Sequence, residues 1–373
     1  MNVYERLGVT PVINARGVAT ELGGWTPTAS VQAAMNAANE HQVEMLDLLK
    51  KSGDVIADRL GVEAAYVTSG GAAAQALSIA ACMAGQDPEK ISRLPDATGM
   101  KNEVVIQKRN RYMFDRCYTL TGAKLVEAGD DDGTTPEQLE QSIGPNTAAV
   151  AFYIQPPLDD AIVPLGELVE IARSRGVTAI ADACSQIYPL DYFTSNAQSA
   201  DLVTFGAKYM GAPHSAGFVC GRRDLIEAVA AQSFVAYHYD GQRAVGRAMK
   251  VDRQEVIGVV TAIEDWFTMN HEDRILAYES KFETIVRAVR GIPGVTTERI
   301  EIGHYVPYML LVQVDSATVG KDAPTIRAEL DSGNPRIWIG DNGEDILTVV
   351  VNTLNEGEDS ILAQRLAGAL SSG

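Results

Sequence analysis

"VTFGAKYMGAPHSAGFVCGRR", residues 203–223, sets one lysine, Lys208, among glycines, alanines and short polar residues, with an apolar run on either side. Surface lysines keep charged company, and protein interiors exclude lysine unless it has a task. The flanking runs, "DLVTFG" (201–206) and "AGFVCG" (216–221), read as buried strands. About ten residues join them, too few for a helical crossover, so the second strand is expected to return antiparallel to the first. Lys208 then stands on a turn just past a strand end.

Upstream, "AAYVTS" (64–69), "EVVIQ" (103–107), "AKLVE" (123–127), "AAVAFYI" (148–154) and "VTAIADA" (177–183) read as further buried strands. Helical patterns lie between several of them, such as "LGELVEIARSRG" (165–176), closed by Gly176. Such alternation predicts an α/β fold: a mostly parallel sheet with helices on both faces. Ala29 to about Arg59 is helical by the spacing of Val31, Met35 and Ala38, then Val43, Leu46 and Leu49, with Ser30 or Thr28 as the first cap. The opening "YERLGVTPVINARGVATELGGWTPT" reads as irregular, and 223–291 as a long helical region. Strands come close together next, in "TTERIEIG", "YMLLVQVD", "TIRAELDSG", "NPRIWIG" and "DILTVVVNTL", before a terminal helix. They predict a small α+β domain. The resulting division is an N-terminal arm (1–28), a large domain (29–270) and a small C-terminal domain (271–373).

Composition narrows the functions. A chain of 373 residues, 46% apolar, builds a large core. Its net charge of −18 repels polyanions and argues against a nucleic-acid partner. Cys82, Cys117, Cys184 and Cys220 form no C-x-x-C pair, so neither a metal site nor a disulfide framework is expected. With no signal-peptide pattern and no long apolar run, a soluble cytoplasmic protein without a membrane partner is expected.

Three features converge on one chemistry. A desolvated lysine has a lowered pKa and attacks carbonyls to form a Schiff base; the plainer alternative is a strand-end lysine reaching water. Asp182 ends "GVTAIAD", at the carboxyl end of a parallel strand where such sheets bind ligands. A buried carboxylate there keeps a pyridine nitrogen protonated, although an acid so placed also serves as a helix cap. In "YVTSGGAAAQALSIAACMAG" (66–85), a strand runs through Ser69, Gly70 and Gly71 into an alanine-rich helix, a cradle for phosphate or simply a tight turn. The stretch is not G-x-G-x-x-G, which weighs against a nucleotide-dependent oxidoreductase. Phosphate cradle, ring-nitrogen acid and lysine follow in the order found in pyridoxal 5′-phosphate (PLP) enzymes of the aspartate-aminotransferase fold, fold type I.

The chain resembles the selenocysteine-synthase-related branch of those enzymes, and most of all its proteins of the D-glucosaminate-6-phosphate ammonia-lyase kind. The likeness runs through "PVINARGVATELGG", "VTSGGAAA", "VVIQKRNRYMFDRCYTLTGAKLVEAG", "AIADACSQIYP", "FGAKYMGAPHSAGFVCGRRDLI" and "GRAMKVDRQEVIGVVTAIEDW". It implies Lys208 as the Schiff-base lysine, Asp182 as the ring-nitrogen partner, and Ser69, Gly70 and Gly71 around the phosphate. It also implies a homodimer or higher homo-oligomer, with Arg247 and Lys250 near a shared active site. Two positions depart from the branch. Phe205-Gly206-Ala207-Lys208 replaces Ser-Gly-Asp-Lys, and Asn14-Ala15-Arg16-Gly17 replaces Asn-Ala-Thr-Gly.

The implied reaction is a PLP-dependent lyase reaction on a small hydroxylated amino acid or amino-sugar acid, losing water and then ammonia to give a 2-keto acid. Amino-acid racemisation or epimerisation and aldol cleavage are the alternatives within PLP chemistry. A tRNA-dependent selenium transferase is disfavoured by the acidic charge and by the lack of extra sequence ahead of the "VINARG" loop. A silent binding protein is disfavoured by the presence of both Asp182 and Lys208. Gln107, Arg109, Gln155, Gln186, Tyr209 and His214 are polar candidates around the substrate, with His214 as a possible acid or base. For the substrate carboxylate, Arg336 is the first choice and Arg16 the second.

Overall fold

The computed structural model describes residues 3–239, 241–302 and 308–371. The chain divides into two compact units, Pro27–Thr268, and Met1–Thr26 together with Met269–Gly373. Strand β1 (Val12–Asn14) belongs to the second unit; β2 (Ala64–Thr68), β3 (Glu103–Gln107), β4 (Lys124–Ala128), β5 (Thr147–Tyr153), β6 (Thr178–Asp182), β7 (Leu202–Gly206) and β8 (Gly217–Gly221) belong to the first.

Those seven strands form one sheet in the order β2-β8-β7-β6-β5-β3-β4. β8 runs antiparallel to both β2 and β7, and the pairs β7–β6, β6–β5, β5–β3 and β3–β4 are parallel. The ten-residue link 207–216 therefore leaves and re-enters the sheet at the same edge, as its shortness requires. β2, β7 and β8 are buried along their whole length. A strand covered on both faces cannot alternate polar and apolar residues, which is why these segments read as continuous apolar runs. Phe205 packs edge-on to Phe193 at 5.0 Å between ring centroids and stacks on Phe218 at 5.2 Å. Burial of each such ring contributes on the order of 2–3 kcal/mol.

The helix Ala29–Asn39 begins at Thr28, whose side chain accepts from the Val31 N–H, which settles its cap in favour of Thr28 over Ser30. The region 223–291 is not one helix. It is broken into Arg223–Ala231, Ala236–Tyr239, Arg253–Thr268 and His271–Val289. Between the second and third, Gly246 donates its N–H to the Gln232 carbonyl at 3.0 Å, a bond that folds the segment back on the preceding helix. Among the described residues no helix is long and apolar enough to cross a membrane.

In the second unit, β9 (Val295–Glu301), β10 (Tyr308–Val314), β12 (Gly340–Asp341) and β13 (Ile346–Val349) form an antiparallel sheet, order β12-β13-β10-β9. β11 (Arg336–Trp338) pairs parallel with β1, so the opening is not wholly irregular. Three residues are too few for a period to show, and the partner strand lies more than 300 residues away. "TIRAELDSG" is helical rather than a strand. Asp322 caps the helix Ala323–Asp331 by accepting from the Thr325 N–H, and Ala323, Ile326 and Leu330 share its buried face. The core of this unit joins Ile13, Phe282, Ile285, Leu310, Leu347 and Leu366.

Candidate active site

Every parallel strand of the large sheet delivers its carboxyl end to one edge, and the chemistry-bearing residues cluster there. β2 leads through Ser69 and Gly70 into the helix Gly71–Ala84. Gly70 sits at φ 89° and ψ 169°, a conformation that disfavours any residue with a Cβ. No side chain caps the helix, so its first-turn N–H groups face outward with the positive end of the helix dipole. A Cβ on Gly71 would lie 2.3 Å from Cys184 Sγ, so the turn packs directly against the segment after β6. This is an anion cradle of the kind that phosphate esters use.

Asp182 ends β6, paired with Tyr153 of β5 on one side and Thr204 of β7 on the other. It is 2% exposed. Burial pushes its carboxyl above the usual carboxylate range, and surrounding donors pull it back down. Oδ1 accepts from the Cys184 N–H at 3.0 Å and the Thr204 hydroxyl at 3.4 Å. Oδ2 accepts from Tyr112 Oη at 2.6 Å and Gln75 Nε2 at 2.5 Å. Tyr112 also stacks on Tyr153, with ring centroids 3.9 Å apart and planes within 4°. Four donors around the carboxylate stabilise its charged form against the burial that disfavours it.

Lys208 lies in the single 3-10 turn Ala207–Met210 that follows β7, with Nζ 5.2 Å from the Tyr209 ring. Burial lowers its pKa below the ordinary lysine value. The Cys184 thiol beside it is pushed well up by burial and by the Asp182 charge. His214, on the same link, is held below the usual imidazole range by burial and then by the charge of Lys208; its Nδ1 is buried without a hydrogen-bond partner. Lysine, acid and cradle thus occupy one edge of one sheet. They fit a phosphorylated pyridine aldehyde: an anion cradle, a buried carboxylate for the ring nitrogen, and an amine of lowered pKa for the carbonyl.

The model of the family described as aminotransferase class-V matches residues 36–240. The chain belongs to the class-V aminotransferase family. Its cofactor is pyridoxal 5′-phosphate, and its architecture is the fold type I of aspartate aminotransferase. Among similar proteins is a 5′-C-glycyluridine monooxygenase-decarboxylase of a Streptomyces species, 33% identical over 91% of this chain and 84% of that protein. The D-glucosaminate-6-phosphate ammonia lyase of Salmonella typhimurium is 28% identical over 98% of this chain and 97% of its own. A solved structure of D-glucosaminate-6-phosphate ammonia-lyase superposes with a TM-score of 0.87 at 26% identity, covering 99% and 98% of the two chains. The chain is a class-V PLP enzyme homologous to an ammonia lyase.

Several of the other residues singled out from the sequence are engaged by neighbours of their own. Gln107 is buried under the edge, exchanging hydrogen bonds with the Val163 backbone at 2.9 and 2.7 Å. Arg109 is bound to Asp159 at 2.6 Å and to the Asp131 carbonyl at 2.8 Å. Gln155 is exposed and accepts from the Tyr153 hydroxyl. Gln186 is buried, accepting from the Tyr192 hydroxyl at 3.0 Å. Arg247 and Lys250 are exposed in the non-helical stretch before Arg253–Thr268. In the second unit, Arg336 is held by Asp331 at 2.7 Å, whereas Arg16 pairs with Glu21 at 3.3 Å and lies over the Trp338 ring at 5.9 Å.

Sequence reading passed over Gln75, Tyr112 and Thr204. Gln75 had a signal: it is the one amide in "GGAAAQALSIAACMAG", a helix otherwise built of small and apolar residues and one serine. Tyr112 was masked by the charged residues around it, because only folding brings it across to β6.

Proposed function

We propose that this enzyme is a PLP-dependent lyase that removes water from a hydroxylated amino acid or amino-sugar acid and releases ammonia, leaving a 2-keto acid. What carries the reading is the end-to-end likeness to the ammonia lyase combined with Asp182, Lys208 and the Gly70-Gly71 cradle on one sheet edge. When bound, the cofactor supplies an electron sink for the pair released at the substrate's Cα.

The chain's own residues do the rest. Ser69, Gly70, Gly71 and the first helical turn would hold the phosphate, and Asp182, with four donors on its carboxylate, would hold the ring nitrogen protonated. Lys208, whose pKa burial lowers, takes the Cα proton at Nζ. Burial, and then the charge of Lys208, disfavour a proton on His214. Lys208 carries the proton, and His214 orients the departing hydroxyl by a hydrogen bond. The atoms balance: Cα–H and Cβ–OH leave as water, and hydrolysis of the released enamine returns one water and yields ammonia. Arg16 is the preferred candidate for the substrate's anionic group, because its ion pair to Glu21, at 3.3 Å, is looser than the two-point hold of Asp331 on Arg336.

The reading includes a homodimer or higher homo-oligomer in the cytoplasm, with Arg247 and Lys250 reaching a shared site. A second reading, oxygen-dependent decarboxylation, draws on the 33% identity to the monooxygenase-decarboxylase. A screen of 3-hydroxy amino acids and 2-amino sugar acids under anaerobic conditions separates the two. Stoichiometric ammonia and 2-keto acid support the lyase. Turnover only in air, with carbon dioxide released, replaces it by the second reading. Exchange of the Cα proton, or aldehyde release without ammonia, would indicate racemisation or aldol cleavage.

A further inference from the structure

We propose that Gln75 is a positioning residue, which through its carboxamide fixes the orientation of Asp182 and ties the phosphate-cradle helix to the acid that faces the cofactor's ring nitrogen. The inference rests on reading Asp182 as the ring-nitrogen partner.

Gln75 sits one turn into the helix Gly71–Ala84, 2% exposed, among Ala73, Ala74, Ala76 and Leu77. Its Nε2 is 2.5 Å from Asp182 Oδ2 and 3.2 Å from Tyr112 Oη, which itself donates to the same oxygen. The amide is used one-sidedly, since Oε1 is buried with no hydrogen-bond partner. Turning the amide over would set its oxygen against the carboxylate, so the orientation is dictated by Asp182. A buried acceptor without a donor carries its desolvation cost uncompensated, which an apolar side chain of similar size avoids. Packing of this helix therefore gives no reason for a glutamine; the carboxylate does.

The partners of Asp182 divide in the same way. Cys184 N–H and Thr204 come from the sheet side, and Tyr112 from the link after β3. Gln75 is the donor that comes from the cradle helix. Through this amide the phosphate anchor and the ring anchor share one hydrogen bond, and the separation of the cofactor's two holds is set by the helix rather than by two independent loops.

The test compares pyridoxal 5′-phosphate with 1-deazapyridoxal 5′-phosphate, in which C–H replaces the ring nitrogen, each titrated into apoprotein and followed by absorbance. For Gln75→Met we expect the Kd for pyridoxal phosphate to rise about tenfold while that for the deaza analogue stays within about twofold. Asp182→Ala should show the same selectivity more strongly. Apoprotein melting curves report folding, and Gln75→Asn, which keeps the amide but cannot span the gap, repeats the comparison if the methionine variant does not fold. Equal weakening for both cofactors, or none for either, overturns the role of Gln75. If Asp182→Ala weakens both cofactors equally, the assignment of Asp182 falls instead.

Discussion

At Lys208, two demands conflict. In the proposed reaction the residue must be uncharged to accept a proton, yet a lysine is most stable in water as its ammonium. Partial burial resolves this in favour of function, at a cost in stability whose sign can be followed with pH. Because the folded-state pKa lies below the ordinary lysine value of 10.5, the unfolded chain binds more protons between the two values. The contribution of Lys208 is therefore most favourable above pH ~10.5 and is lost as pH falls through the folded value. Lys208→Met apoprotein should melt at a higher temperature than the parent at pH 7, with the gap closing toward pH 10. A constant gap would show that packing, not charge, is responsible. The same substitution should lower turnover by about a thousandfold or more and remove the borohydride-fixed pyridoxyl adduct from the 203–223 peptide. Lys208 and Asp182 were legible in the sequence because each interrupts a small or apolar run at a strand end. Tyr112 and Thr204 were not, since a hydroxyl in mixed surroundings announces nothing until a partner across the fold is known.

Elements show a similar split. Strands enclosed on both faces announced themselves as apolar runs, and their bounds moved by a residue or so. Helix His271–Val289 and its neighbours merged into one in the sequence, because the break at 241–252 depends on the Gly246–Gln232 backbone bond rather than on a proline. "TIRAELDSG" is too short for its period to separate helix from strand; its Asp322 cap decides. The turn from β2 into Gly71–Ala84 carries the sharpest prediction at this scale. Gly71→Ala drives a methyl group into Cys184 Sγ, an overpacking that costs about 1–3 kcal/mol and should weaken pyridoxal phosphate binding at least tenfold. Adding Cys184→Ala removes the obstructing sulfur and should restore most of both losses. If the double variant is no better than Gly71→Ala alone, the contact with Cys184 is not what makes glycine necessary there.

For the whole molecule, sequence alone reached the fold class and the cofactor. It did not reveal that Val12–Asn14 enters the same unit as the C-terminal residues, because β1 and β11 are strands of three residues each. Assembly is testable by complementation. If sites are shared between subunits, mixed dimers of Lys208→Ala with an Arg247→Ala/Lys250→Ala chain should recover about a quarter of the parent activity, as random pairing leaves one intact site in half of the dimers. Independent sites would give no recovery.

The reversed strand β8 has its own consequence. It lies between β2, which delivers the cradle, and β7, which delivers Lys208, so the two are separated by two inter-strand steps, about 9.6 Å. That interval is ruled by backbone hydrogen bonds and is indifferent to side chains. Past the turn Ala207–Met210 that carries Lys208, the rest of the link, 211–216, returns to the same rim, and changes there leave the strand spacing of both posts in place. A family built on this frame can therefore alter what it does to a substrate by rewriting one short span, while the gauge on which the cofactor is mounted stays the same.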